Sequence, residues 1–410
     1  MELKMNYQYS YFVYPFIVKE SRYQNYIIKL LKDKNCKLKR YEKEKDLNAY
    51  RFFSNNIREF LFSTFSFTNE KYNRLQELPI ETRAAILAKY PCSIFSYELK
   101  KCAQGKAGAE NGIFFRIQKI EIICFNNGIC FLAMKTNIED SDAFSELLNF
   151  NYKFRDINQN TIVLNNYENI MIQTDSFETI DTFKDFIRSI TGSNVKAIEL
   201  DIDTERFLTY SYVCIDGKNW NIDTGFNSIE HDFIKLTNVL PADNIANYDK
   251  DEIMSFSKWK YVKIGLTKRS MVLMASSTEM NNYTILPDEY ENQYFYEYIL
   301  ALYKRIYLKK LSVECKLCVN IKKTRKKFIN FTKSLWTHEV SENDVGTMIN
   351  QKLKDIFELD ELYYKIKNEF DVLYKELNIE NHKILKILIL VVLGVTWVLN
   401  IINFIILVKK

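Results

Sequence analysis

The chain has 410 residues, of which 47% are hydrophobic and 15% aromatic, with a formal net charge of +5. That composition excludes a disordered chain, and the charge is too mild to imply nucleic-acid binding by itself. Ten glycines and five prolines argue against a turn-rich sandwich and against a long flexible linker.

The amino terminus lacks a basic segment leading into a continuous apolar core with a small-residue cleavage site, so no signal peptide is expected. Tyr9–Val18 is aromatic and β-branched and predicts a first strand, followed by a helix over Ser21–Lys32. Glu59–Phe67 reads as a strand from its aromatic density, and Pro79–Tyr90 as a helix closed by Pro91. Ala103–Gly112 is a glycine-rich loop that holds a lysine but lacks the phosphate-loop spacing. Ile113–Phe125 and Ile129–Thr136 flank Asn126-Asn127-Gly128, the strongest hairpin signal in the chain. Helices follow over Asp140–Phe150 and Ser176–Ile190. Val195–Ile202, Phe207–Ile215, Trp259–Ile264 and Met271–Ala275 complete the strands. Strands in hairpins with helices between them predict an α/β (α+β) domain over 1–285.

Catalytic constellations are scarce, and the reading is of a protein that is not an enzyme. His231, His338 and His382 are far apart, and Cys315-x-x-Cys318 stands without a second pair. Asp201, Asp203 and Asp216 read as solvated acids near strand ends. No cofactor is evident. The eight scattered cysteines read as buried free thiols in a reducing compartment.

A second region, 286–383, changes texture. No Gly or Pro interrupts Asp288–Leu335, which predicts one helix of up to ~70 Å at 1.5 Å per residue. Trp336–Val340 is the expected turn, and Ser341 to Asp344 resembles a capping box. Ile356, Leu359, Tyr363, Ile366, Phe370, Leu373 and Leu377 then alternate steps of three and four, a narrow seam for another helix in this chain or in a copy of it. An antiparallel hairpin, a coiled-coil stalk, is expected. It would set Lys322, Lys323, Arg325, Lys326 and Lys327 opposite the acids near 351–361. A nucleotide or acidic partner is the other use for that basic run. The third region, 384–410, is wholly apolar from Ile387 to Val408 and closes on Lys409 and Lys410. About 22 apolar residues match the ~30 Å hydrocarbon core, which predicts one C-terminal transmembrane helix. Thr396, Asn400 and Asn403 share one stripe of it, as pore-lining or interhelical groups.

The segment KKFINFTKSLWTHEVSENDVG and the following LDELYYKIKNEFDVLYKEL resemble the helix–turn–stalk region of divergent CorA-type magnesium and divalent-cation transporters. The similarity covers roughly 285–408. It implies a homopentameric funnel whose stalk continues into the membrane as the pore lining; the one apolar span and the absent signal peptide predict a cell (inner) membrane protein, single-pass, with the large amino-terminal part cytoplasmic. It also implies Mg²⁺ or another divalent cation as transported ion or regulator. The family's Gly-Met-Asn signature and second span are absent; Val398-Leu399-Asn400 stands nearest. Divergent members also serve as type III CRISPR defence effectors, proposed to respond to a nucleotide messenger. The expectation is therefore an oligomeric channel or membrane-permeabilising effector gated by a ligand-sensing domain. The alternative is a scaffold tethered to lipid by its last helix, with no pore.

Overall fold

The computed structural model describes residues 2–99, 103–107, 113–157, 170–174, 177–180, 183–192, 196–197, 206–244, 253–317, 320–336 and 339–408. Among the described residues, thirteen strands share one sheet. At its middle lies β1 (Met5–Ile17), antiparallel to β10 (Leu208–Ile215) on one side and to β6 (Ile129–Ile138) on the other. Outward from β10 come β13 (Ser270–Ser276), which runs parallel to it, then antiparallel β12 (Val262–Leu266) and β11 (Met254–Phe256). Outward from β6 come β5 (Ile113–Phe125), β4 (Ala103–Ala107), β7 (Ile170–Thr174) and β8 (Phe177–Ile180). β5 also pairs with β3 (Cys92–Tyr97), which carries β2 (Cys36–Leu38), and β9 (Lys196–Ala197) pairs with the end of β1. The tight β5–β6 turn puts Gly128 at φ 85°, where an added Cβ would lie 2.0 Å from the Val18 carbonyl oxygen. Only glycine fits there.

Strand side chains alternate between faces, and both faces are covered, so the central strands read as nearly continuous apolar runs. Tyr9, Tyr11 and Val13 of β1 join Phe131, Tyr210 and Tyr212 in one core, while Phe12 and Phe16 join Leu132, Met134 and Val213 in the other. The second core is roofed by α1 (Tyr23–Lys32), α4 (Asn69–Glu77), α5 (Ile80–Leu87), α6 (Phe144–Phe154), α7 (Phe183–Thr191) and α8 (Glu230–Asn238). On the first face lie α2 (Leu47–Phe52) and α3 (Asn55–Leu61), with α9 (Asn281–Thr284) and α10 (Leu286–Glu289) leading into a π-helical turn, Tyr290–Tyr294. From there α11 (Phe295–Lys316), α12 (Ile321–Phe331), a second π-helical turn (Thr332–Trp336), α13 (Asp344–Ile356) and α14 (Leu359–Val408) complete the chain. Tyrosines sew the entry of this helical run to the sheet. Tyr9 donates to Pro287 O at 2.8 Å, Tyr210 to Tyr290 O at 2.6 Å and Tyr212 to Asn282 O.

Several expectations are corrected here. Glu59–Phe67 is not a strand: α3 ends at Leu61 and a 3₁₀ turn, Ser63–Ser66, follows. The helix expected over Asp288–Leu335 breaks after Lys316 and restarts behind Asn320, which takes a left-handed φ of 48° and caps α12 by accepting from Lys323 N. The cap of α13 is Asn343, accepting from Val345 N, while the Ser341 hydroxyl donates to Phe52 O. No free hairpin stalk forms. The apolar sheet face must be covered, and α11 through the first turns of α14 provide part of that cover. Lys327 accordingly pairs with Glu20 and Glu314, not with acids near 351–361.

The membrane span is corrected too. Among the described residues no helix is long and apolar enough to cross a membrane. A single-pass inner-membrane protein and a transmembrane channel are thus not supported, and the fold is a mixed sheet with helices on both faces.

Candidate functional site

A cleft of about 730 Å³ opens between α2, α3, the 3₁₀ turn after α3, the residues just before β3, and the second π-helical turn. That volume suits a small-molecule ligand. Its walls combine aromatic rings (Tyr50, Phe60, Phe65, Tyr90), the cations Arg58 and Lys333, the Asn55 and Asn56 amides, and the Ser63 and Ser66 hydroxyls; Glu59 is the one acid among them. The Arg58 guanidinium lies 3.9 Å from the Tyr50 ring centroid and donates to Tyr50 O at 2.5 Å and Asn55 Oδ1 at 2.8 Å. It is therefore preset, and its planar face is already matched to an aromatic ring. The Ser63 hydroxyl donates to Cys92 O at 2.9 Å, fixing the turn to the edge of the sheet.

Behind the cleft stands a buried polar network. Phe62 and Phe65 pack on Tyr41, whose hydroxyl hydrogen-bonds that of Tyr296 at 2.7 Å, and Tyr296 in turn donates to Glu121 Oε2 at 2.9 Å. Glu121 is fully buried and pairs with Lys39 at 2.7 Å and Lys119 at 3.2 Å. Burial pushes its carboxyl up, but the charges of Lys119 and Lys39 and the hydrogen bonds from Lys39 and Tyr296 outweigh that and bring it down to about 2. Glu291 is held below its ordinary value in the same way: burial raises it, and Lys119 and Lys135 more than compensate. The network backs the floor of the cleft, and its two carboxylates, Glu121 and Glu291, are held in the charged form.

On its far side the second π-helical turn meets α14. Lys333 and Ser334 face the cleft, whereas Thr332 contacts the Tyr363 hydroxyl at 3.2 Å and Trp336 stacks on the Tyr363 ring. A wall of the cleft and the seat of the long helix are thus one five-residue turn.

The residues singled out from sequence fall in different places. Of the seam, Leu359, Tyr363, Ile366 and Phe370 are buried, and Ile356 and Leu373 half-buried, all against this chain's own core. Phe328 packs on Tyr363 and Phe370 at 5.1 and 5.4 Å. The Thr396 hydroxyl donates to Val392 O and Leu393 O of its own helix. The side chains of Leu377, Asn400 and Asn403 lie outside the described residues, as do Cys318, His338, Asp201 and Asp203. Lys322, Lys323 and Lys326 are exposed on α12, while Arg325 is half-buried and Lys327 is used structurally. Asp216 caps the turn after β10, accepting from Lys218 N at 2.9 Å. Among the described residues no group of His, Cys, Asp and Glu is placed to hold a metal ion, so the divalent cation has no donor set there. The cleft residues escape sequence reasoning because they come from three stretches far apart in the chain, 50–66, 90–91 and 333–334. The one local signal is the aromatic and serine alternation of EFLFSTFSF, a pattern that favours a strand.

No family model matches the chain, and no curated protein or solved structure is similar to it. The resemblance to CorA-type transporters has no counterpart in these comparisons.

Proposed function

We propose that this protein is a ligand-responsive binding protein: a nucleotide-like ligand occupies the cleft beside α3 and alters how firmly α14 is seated. The observation that carries the reading is the shared turn Thr332–Trp336, which gives Lys333 and Ser334 to the cleft and Trp336 to Tyr363. Aromatic walls suit the π-face of a base, amides and hydroxyls suit its polar edge, and Arg58 and Lys333 suit a phosphate. Titration calorimetry with ATP and AMP tests it. Binding that weakens about tenfold in Tyr50→Ala and Lys333→Ala supports the assignment, on the scale of one stacking or charge-assisted contact. Equal affinity in those variants and the native chain would sink it.

A second reading concerns assembly. Side chains over Ile387–Leu399 are exposed on every side of α14, Trp397 by 69%. A partner groove covers one side of a helix, whereas copies of the same helix surround one another. Homo-oligomerisation through this stretch follows, in keeping with a scaffold. Sedimentation equilibrium checks it: a monomer mass across the accessible concentrations removes this reading, and Leu390→Glu with Leu393→Glu should convert an oligomer to a monomer.

A further inference from the structure

A second cavity, about 450 Å³, shares no residue with the cleft. It lies where the parallel strands β10 and β13 begin, roofed by the end of α8 and by Ile356 at the end of α13. Four cations line it: Arg155 just after α6, Arg206 just before β10, and Lys268 and Arg269 in the turn from β12 to β13. Among the described residues, no acidic side chain lines it. From outside the lining, Asp156 holds Arg206 at 2.9 Å and lies 3.8 Å from Arg155, and Glu358 holds Lys268 at 2.5 Å. The turn is itself fixed, since Thr267 N donates to Ser270 O at 2.9 Å and Thr267 Oγ1 accepts from Arg269 N and Ser270 N. The end of α8 does not direct bare carbonyls into the space: Leu236 O and Lys235 O accept from Val239 N and Leu240 N.

One further group distinguishes this cavity from a solvated basic patch. Thr209 is 1% exposed and lines the cavity, yet among the described residues its Oγ1 has no hydrogen-bond partner. A buried hydroxyl without a partner is costly and is rare in folded proteins. A tetrahedral oxyanion in the cavity would give it an acceptor, while guanidinium groups supply paired donors on the other sides.

We propose that this cavity binds a phosphate-class dianion, free or as the end of a phosphate ester. The site adjoins the joint between α13 and α14, because Lys268 lines the cavity and bonds Glu358, which takes a φ of 54° between those helices. An anion here competes with Glu358 for Lys268.

Isothermal titration with inorganic phosphate, glycerol 1-phosphate and AMP tests the proposal on the full chain. Expected are saturable binding of phosphate, of an ester, or of both, and about tenfold weaker binding in Arg269→Gln, the usual scale for one charge-assisted contact. Thr209→Val weakens binding several-fold while leaving the ligand-free Tm unchanged or higher, because it removes an unpaired buried hydroxyl. Phosphate alone binding identifies the free anion as ligand, and esters alone binding identify an ester. Binding of neither beyond chloride overturns the proposal, as does equal affinity in the native chain and both variants. Tyr50→Ala, which acts on the cleft, leaves phosphate affinity here unchanged, so the two assignments fail separately.

Discussion

Trp336 lies flat on Tyr363, ring centroids 4.2 Å apart and planes 4° from parallel. The pair joins the turn that walls the cleft to the base of the long helix. Tyr363→Phe keeps the stack and loses only the hydroxyl contact with Thr332, so it should cost about 1 kcal/mol or less. Tyr363→Ala removes a nearly buried ring and should cost about 3–5 kcal/mol. Hydrogen exchange over 359–373 is the specific readout: protection should drop in Tyr363→Ala and hold in Tyr363→Phe.

Acid should act through Glu121. Its folded carboxyl sits at about 2 against an ordinary 4.5, so the stability it confers is present above pH 4.5 and is lost as pH falls toward about 2. The shift corresponds to about 3 kcal/mol at 1.36 kcal/mol per unit. Glu121→Gln leaves Lys39 and Lys119 facing a neutral amide and should cost about 3–5 kcal/mol at pH 7. The difference in Tm between that variant and the native chain should shrink from pH 7 to pH 3. A constant difference would show that Glu121 does not carry the linkage.

Lys304 carries the opposite sign. It is 2% exposed on α11, and burial first, then the charge of Lys354, lower it to about 8, against partial support from Glu297 and Asp360. Because the unfolded chain keeps the proton up to about 10.5, the folded state is penalised below pH 8 and relieved as pH rises from 8 to 10.5. Lys304→Met should therefore raise stability at pH 7 by about 3 kcal/mol or less and abolish the gain between pH 8 and 10.5 seen relative to the native chain. Urea unfolding at pH 7 and 10 reads both. Glu297 on the same helix is buried with both carboxylate oxygens unpartnered, and burial holds it well above its ordinary value. Glu297→Met should stabilise the chain at pH 7 and not below pH 4.

Gly346 tests the docking of α13. In most helix interiors Gly→Ala gains up to ~1 kcal/mol. Here an added Cβ would lie 2.5 Å from Ser341 Oγ and 2.6 Å from Phe52 Cζ. Gly346→Ala should therefore lose about 1–3 kcal/mol, the range for overpacking. A rise in Tm would show that α13 seats loosely on α2.

Local chemistry explains what could be read from sequence and what could not. The β5–β6 hairpin was legible because two β-branched runs flank Asn127-Gly128, and a positive φ leaves few alternatives there. The seam of Tyr363, Ile366 and Phe370 was legible as a helix-facing stripe, though its partner, Phe328 in this chain, was not. The break after Lys316 carries no Gly or Pro, and an Asn in a left-handed conformation cannot be told from an Asn in a helix by pattern alone. Ser341 offered a capping hydroxyl, but Phe52 O took it. Hydropathy over Ile387–Val408 favours a membrane span, yet among the described residues no helix is long and apolar enough for one. Both cavities were invisible for one reason: Arg155, Arg206 and Arg269, like Tyr50, Tyr90 and Lys333, are neighbours only after the sheet has formed.

The fifty residues of α14 form a rod of about 75 Å at 1.5 Å per residue, and among the described residues its buried side chains lie over Leu359–Phe370. A rod anchored at one end is a lever. A swing of about 5° at the Phe357–Glu358 joint carries its far end through about 6 Å, more than one helical turn of travel. Sub-ångström adjustments at Trp336 or Lys268 would thus become displacements large enough to be read by a pair of fluorophores, one near Ser334 and one beyond Trp397.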